Sequence, residues 1–320
     1  MSRVLNIGSL NIDYVYQVPH FLRGGETLAA YRRAVHIGGK GLNQSVALAR
    51  AGLKVSHAGM VGSDGGFLKA FLANEGVDTL LVKVLENEPS GHTFIQVIPE
   101  AENAILYYPG TNVRLTRSFV KEVIEGFCQG DALLVQNETS AVRDAIELGL
   151  EKGMRVILNP SPFDRQAPLY PLNRLSALVL NETEAEGLLA MEKAEKTLEE
   201  QLAMVEELGR RYPDTVLLVT LGSRGVAVKQ PGFAVEHLPA FRVHAVDTTG
   251  AGDTFTGYAV RALMRAWKLE EQGIAAERRH AVLMEGLKFA AMAAAMSVTK
   301  AGSAESIPTF DDVDTAILSL

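Results

Sequence analysis

Asp247-Thr248-Thr249-Gly250-Ala251-Gly252-Asp253-Thr254-Phe255-Thr256-Gly257 joins an anion-binding turn to a carboxylate within one turn of chain. Small residues at 250 to 252 let backbone N–H groups approach a ligand closely. The apolar residues that follow, Phe255, Tyr258, Ala259 and Leu263, recur at helical spacing, so the turn opens a helix whose N-terminus favours a phosphate. A carboxylate at Asp253 in that first turn would repel a phosphate it merely touched. Its presence assigns it to the nucleophile, as proton acceptor, and predicts phosphoryl transfer. The same residues also fit a Gly-rich strand-to-helix turn with Asp as an N-terminal cap, common in α/β proteins.

Outward from this turn, short apolar runs bounded by Gly, Asn or Pro alternate with helical patterns, as a parallel sheet with covering helices requires. The runs predict strands over Val4 to Gly8, Val55 to Val61, Leu133 to Gln136, Val156 to Asn159, Ala177 to Leu180 and Val216 to Thr220. Helices are predicted over Gly41 to Ala51, Phe67 to Asn74, Arg117 to Gly126, Ala141 to Lys152, Glu182 to Met191, Leu198 to Arg211, Thr254 to Trp267 and Ala275 to Val298. Two stretches break the rhythm. Residues 14–37 and 92–108 read as alternating extended chain with no helix between paired members, which predicts a small separate sheet. The expected division is an α/β core of 1–13, 38–91 and 109–320 with a discontinuous β lid of 14–37 and 92–108, able to keep water from a reacting nucleotide.

A chain of 320 residues with 47% hydrophobic residues buries a sizeable core as one large α/β domain or two ordinary ones. A net charge of −7 argues against nucleic-acid or anionic-membrane partners, so any anionic ligand is held by a local site. A single Cys128 excludes an internal disulfide, and the seven His residues show no zinc-ligand spacing, so a reducing cytoplasm is the expected compartment. Nothing at Met1 to Leu10 reads as a signal peptide, and the apolar stretch Phe289 to Val298 is too short to span a bilayer.

Gly38-Gly39-Lys40-Gly41-Leu42-Asn43-Gln44 has the glycines and lysine of a phosphate loop, but Gly follows Lys40 where a P-loop has Ser or Thr. No G-x-G-x-x-G follows the first strand, which lowers a dinucleotide oxidoreductase reading. The segment suits close backbone approach to a small polar ligand, with the Asn43 amide and Lys40 as donors, or a plain glycine turn. In Gly8-Ser9-Leu10-Asn11-Ile12-Asp13, alternation puts Asn11 and Asp13 on one face, where an amide and a carboxylate can grip a vicinal diol; an Asx turn ending a strand is the competing account. Glu138 sits just past a strand, at the edge where open α/β sheets bind ligands. Asn181 and Glu184 form a capping box after Ala177 to Leu180. Thr220-Leu221-Gly222-Ser223-Arg224-Gly225 joins two strand-like runs as a turn at the sheet edge.

Together these motifs resemble the ribokinase-like (PfkB) carbohydrate kinase family, from about Val4 to Pro308. Asp247 to Phe255 resembles its second signature, whose last Asp is the catalytic base, and the segment from Gly38 through Gly52 to Gly62 resembles its first. The resemblance implies that Gly250, Ala251, Gly252 and Asp253 carry catalysis, and that Asn11, Asp13, Gly39, Lys40, Asn43, Glu138 and Asp253 hold the sugar. It places Asn181, Glu184, Thr220, Gly222, Ser223, Gly225 and Gly252 beside ATP and Mg²⁺. The tail Ser297 to Pro308 resembles the family's monovalent-cation loop, implying a K⁺ site of Asp247, Thr249, Ser297, Lys300, Gly302 and Ser306. Ser297 and Lys300 replace the usual Ala and Arg there. Tyr107 and Tyr108 replace an aliphatic residue and a His in the lid, and Ala291 replaces a polar residue often beside adenine.

The implied fold is a mostly parallel, helix-flanked sheet with the small β lid. The implied activity is ATP-dependent phosphorylation of a pentose, D-ribose at its 5-hydroxyl being the expected acceptor. Deoxyribose, fructose and nucleosides remain alternative acceptors, and a non-catalytic sugar-binding protein is the rival from another class. Open edges of the lid, and pairing of lids within the family, imply a homodimer.

Overall fold

The computed structural model describes residues 3–100, 102–192 and 194–319; residues 1, 2, 101, 193 and 320, which the expected division takes in, lie outside them. The chain runs β1 (Val4–Ile7), β2 (Asn11–Gln17), β3 (Arg32–Gly38), α1 (Lys40–Arg50), β4 (Val55–Gly62), α2 (Gly66–Asn74), β5 (Val82–Leu85), β6 (Gly91–Val97) and β7 (Asn103–Tyr108). It continues through α3 (Arg117–Glu125), β8 (Ala132–Gln136), α4 (Val142–Glu151), β9 (Arg155–Asn159), β10 (Ala177–Asn181), α5 (Glu182–Leu189), α6 (Leu198–Arg211) and β11 (Val216–Thr220). It ends with β12 (Val226–Lys229), β13 (Glu236–Leu238), α7 (Ala251–Glu271), α8 (Ala276–Ser297) and α9 (Phe310–Leu318).

The large sheet has the order β13-β12-β11-β10-β9-β8-β1-β4-β5, parallel from β11 through β5 with β12 and β13 antiparallel at one edge. Its central strands are mostly apolar because both faces are covered, with Asn6 of β1, His57 of β4 and Gln136 of β8 as buried polar exceptions. Alternation sends Val4, Leu134, Ile157, Val179 and Leu218 to the face under α1, α7, α8 and α9. Leu5, Leu133, Val156, Leu178 and Leu217 go to the face under α3 to α6. Helix starts are fixed by side chains: Thr116, Asn181, Thr197 and Thr309 each accept a hydrogen bond from the backbone N–H three residues on.

The small sheet has the order β3-β2-β6-β7. Its strands begin at Asn11 and Gly91 and one ends at Gly38, so Asn11 and Asp13 stand in its first strand and do not merely follow β1. Strands β5 and β13 and helix α9 escaped the pattern reading, the strands because they are short and half-exposed. Helix α7 begins at Ala251, three residues before its apolar periodicity, because its first turn carries the site. No helix among the described residues is long and apolar enough to cross a membrane.

Candidate active site

The carboxyl ends of β9 to β11 and the N-termini of α1, α5 and α7 meet around a cavity of about 330 Å³. Lys40, Asn159, Ser161, Asn181, Glu184, Thr220, Gly222, Thr248, Gly250, Gly252, Asp253 and Thr256 line it. A larger cavity, about 600 Å³, opens at the opposite strand ends near Arg155, Phe233 and Trp267, away from every expected site residue.

Gly250 caps α7 with φ 77°, in the left-handed region, which lets the chain turn sharply enough to aim the helix N-terminus into the cavity. Ala251 donates its N–H to the Thr248 carbonyl at 3.3 Å. No acceptor among the described residues takes the N–H of Gly250 or Gly252. Asp253 is buried at the cavity wall, held from both sides: Asn43 Nδ2 donates to Oδ2 at 2.9 Å and Gln44 Nε2 to Oδ1 at 2.8 Å. Asn43 Oδ1 is buried and accepts from no donor among the described residues.

Lys40 opens α1. The carboxylate of Asp253 raises the pKa of the Lys40 ammonium above its usual value, against the effect of burial, with Glu138 and Glu184 adding to it. The backbone N–H of Lys40 donates to Glu138 at 3.0 Å and the Ser9 hydroxyl donates to the same oxygen. Burial raises the Glu138 pKa in spite of these partners. Such close approach requires Gly41, since a Cβ there would fall on the backbone of Gly8 and Ser9.

Beside this cluster, β2 presents Asn11 and Asp13 on one face, as the alternation predicts. Asn112 Nδ2 donates to Asn11 at 2.7 Å and Thr93 Oγ1 to Asp13 at 2.5 Å; burial raises the Asp13 pKa. Tyr107 pairs with Thr93 and shares that face; burial, with the Glu138 charge adding to it, pushes its phenol up to about 12. Tyr108 pairs with His92 on the other face, its ring 5.1 Å from the imidazole, and so points away from these residues.

Asn181 and Glu184 form the capping box, with reciprocal bonds of 2.9 Å and a third, Asn181 Nδ2 to Glu184 Oε1, at 3.0 Å. Glu184 is buried and its pKa is raised by that burial. Thr220 and Gly222 line the cavity, whereas Ser223, Gly225 and Ala291 do not. Asp247 accepts from Thr249 N at 2.9 Å and Gly302 N at 3.0 Å, joining the two loops expected to surround a cation. Burial alone would raise the Asp247 pKa, but those amide bonds leave it below the usual carboxylate value. Ser297 and Ser306 donate their hydroxyls to the carbonyls of Ala294 and Ser303, and Lys300 is exposed, so these side chains are not brought together with Asp247 around a shared site. No group of three His, Cys, Asp or Glu placed to hold a metal occurs among the described residues.

Sequence reasoning missed Gln44, Thr93, Asn112, Asn159 and Ser161. Gln44 adjoins Asn43 in the glycine segment, and Asn159 ends a predicted strand, so polarity at those positions was the available signal. Thr93 and Asn112 reach Asp13 and Asn11 only through tertiary structure. In chemical terms, the geometry offers unpaired amides and a half-buried ammonium for an anion, with a carboxylate beside hydrogen-bonding groups suited to a polyol.

A family model described as pfkB family carbohydrate kinase matches residues 1–310. The chain is 38% identical to a ribokinase of Haemophilus influenzae over 97% of this chain and 96% of that one. Among solved structures, it is similar to a Cryptococcus neoformans ribokinase in complex with ADP: TM-score 0.85 and 32% identity, covering 99% of this chain and 100% of that one. An Arabidopsis thaliana ribokinase complexed with ribose and ATP superposes with a TM-score of 0.82 at 26% identity, covering 98% of each chain.

Proposed function

This chain belongs to the pfkB family of carbohydrate kinases, and we propose that within it the protein is an ATP-dependent ribose kinase producing ribose 5-phosphate. The observation that carries the reading is the Asp253 carboxylate, gripped by two amides at the head of α7 beside unpaired backbone N–H groups. In this reading Asp253 takes the proton of the sugar's primary hydroxyl as its oxygen attacks the γ-phosphorus. A new O–P bond forms, the bond to ADP breaks, and charge on the transferred group falls to the amides of Gly250, Ala251 and Gly252 and to Lys40. Asn11, Asp13, Gly39, Asn43 and Glu138 hold the sugar. The half-buried, hydrogen-bonded carboxylates of Asp13 and Glu138 support this, since hydroxyl donors would repay their desolvation.

Asn181, Glu184, Thr220, Gly222, Ser223, Gly225 and Gly252 take the nucleotide. Mg²⁺ supplies charge neutralisation on the triphosphate when bound. The oxygen-only donor set of Asn181 and Glu184 fits it; both Glu184 oxygens already accept from Asn181, which suits contact through water. K⁺ belongs in this reading beside Asp247, whose bonds to Thr249 N and Gly302 N clasp the two loops together. The small sheet acts as the lid, and its outer face, with Phe94 41% and Leu106 69% exposed beside Tyr14 and Tyr108, supports pairing of two lids in a homodimer. We assign the protein to the reducing cytoplasm, where its exposed Cys128 stays a thiol.

Initial rates of ADP release across ribose, deoxyribose, fructose and nucleosides, with and without K⁺, test the reading. Ribose should give the highest kcat/KM; ADP release with none of these acceptors, alongside sugar binding, would replace the kinase by a binding protein.

A further inference from the structure

Gln44 has no solvent exposure, yet it touches the one carboxylate on which the proposed chemistry turns. Its Nε2 also donates to Asn159 Oδ1 at 2.8 Å, and its Oε1 accepts from Gln136 Nε2 at 2.7 Å. Gln136 Nε2 also donates to Asn6 Oδ1 at 2.9 Å, and Asn6 Nδ2 donates to the Gly41 carbonyl at 2.7 Å and to Ser45 Oγ at 2.8 Å. On the other branch Asn159 Nδ2 donates to the Val179 carbonyl at 3.0 Å.

Each of these amides has two possible orientations, but a backbone carbonyl can only accept. The Gly41 carbonyl therefore requires the NH₂ of Asn6 to face it, which turns Asn6 Oδ1 toward Gln136. Gln136 must then present its NH₂, and Gln44 must answer with its oxygen. The Val179 carbonyl sets Asn159 in the same way, so Asn159 Oδ1 also asks Gln44 for a donor. Two independent backbone carbonyls thus dictate that the NH₂ of Gln44 points at Asp253.

We propose that Gln44, oriented by Gln136, Asn6 and Asn159, is a positioning residue that holds Asp253 Oδ1 in register with the acceptor hydroxyl. The chain fixes one oxygen from behind while Asn43 fixes the other, so the carboxylate cannot rotate about its Cβ–Cγ bond. This rests on reading Asp253 as the base. Because Gln44 is sealed from the cavity, it acts only through Asp253, and its loss costs rate without loosening either substrate.

The test is Gln44→Met, which keeps length and helix propensity but removes the amide. Its kcat should fall about 10- to 100-fold, as for a misplaced catalytic group, while KM for sugar and for ATP stays within about threefold. In an Asp253→Asn background the same substitution should cost no further rate, because the group it positions is gone. A merely structural glutamine would cost the same factor in both backgrounds. Gln136→Met should give the same pattern with a smaller fall, and serves if Gln44→Met does not fold. Unchanged kcat in whichever variant folds, or equal losses in both backgrounds, overturns the proposal. Full turnover by Asp253→Asn removes the base itself, whereas an inactive Asp253→Asn beside a fully active Gln44→Met removes only the positioning role.

Discussion

Replacing Asp253 by Asn separates the chemistry from the architecture. In the native site both carboxylate oxygens accept from amides, at 2.9 Å from Asn43 and 2.8 Å from Gln44. An Asn side chain of the same shape can turn its oxygen to Gln44 and its NH₂ to Asn43, whose amide has no other partner among the described residues and is free to turn its own oxygen forward. Both hydrogen bonds are then kept, as neutral rather than charge-assisted ones, so the stability cost should stay within about 1 kcal/mol. Asp253 belongs to neither core cluster, so the variant should fold with a melting temperature close to the parent's. Loss of the proton acceptor should lower kcat by about 10²- to 10⁴-fold, equivalent to ~3–5 kcal/mol of barrier. ADP release at saturating ribose and ATP measures the rate, calorimetry of sugar binding measures occupancy, and a thermal melt measures the stability cost. A folded variant that binds sugar and keeps kcat within about threefold of the parent would refute the role of Asp253.

A Cβ at Gly38 would fall on the Asp13 carboxylate, so Gly38→Ala should displace Asp13 from Thr93 and raise KM for ribose about 10-fold or more with a smaller change in kcat; an unchanged KM would remove Asp13 from the sugar site. Burial holds the His57 imidazole down to about 4, below its ordinary value of 6.5. Between those values the unfolded chain takes up a proton that the folded protein refuses, so stability falls as pH drops from about 6.5 towards 4, by about 1 kcal/mol per unit. Denaturant titrations should find that slope shallower in His57→Gln; equal slopes would show that His57 is not the source. Phe94→Glu on the outer lid face should shift a dimer to monomer in sedimentation velocity, and an undisturbed dimer would move the interface elsewhere.

The local periodicities of this chain were enough to announce the parallel sheet, because strands buried on both faces leave short apolar runs bounded by turn residues, and these alternate with helical patterns along the chain. The edge strands β5 and β13 bury few residues and so left no such run. In the site, the legible residues were those whose function demands a local backbone form: the glycines of the α7 turn, the Asn181 and Glu184 cap, and the alternating Asn11 and Asp13. Their chemistry is bound to their own stretch of chain. Gln44, Gln136, Asn159, Thr93 and Asn112 were not legible in this way. An isolated amide or hydroxyl has no periodicity, and its partner stands as many as 209 residues away, as Asp253 does from Gln44. What the sequence by itself determined was that a helix follows the glycine turn and which carboxylate stands where the two join. Only the folding of α1 against α7 across the strand ends decided which donors reach that carboxylate, because a hydrogen bond exists only where two buried groups are brought within about 3 Å.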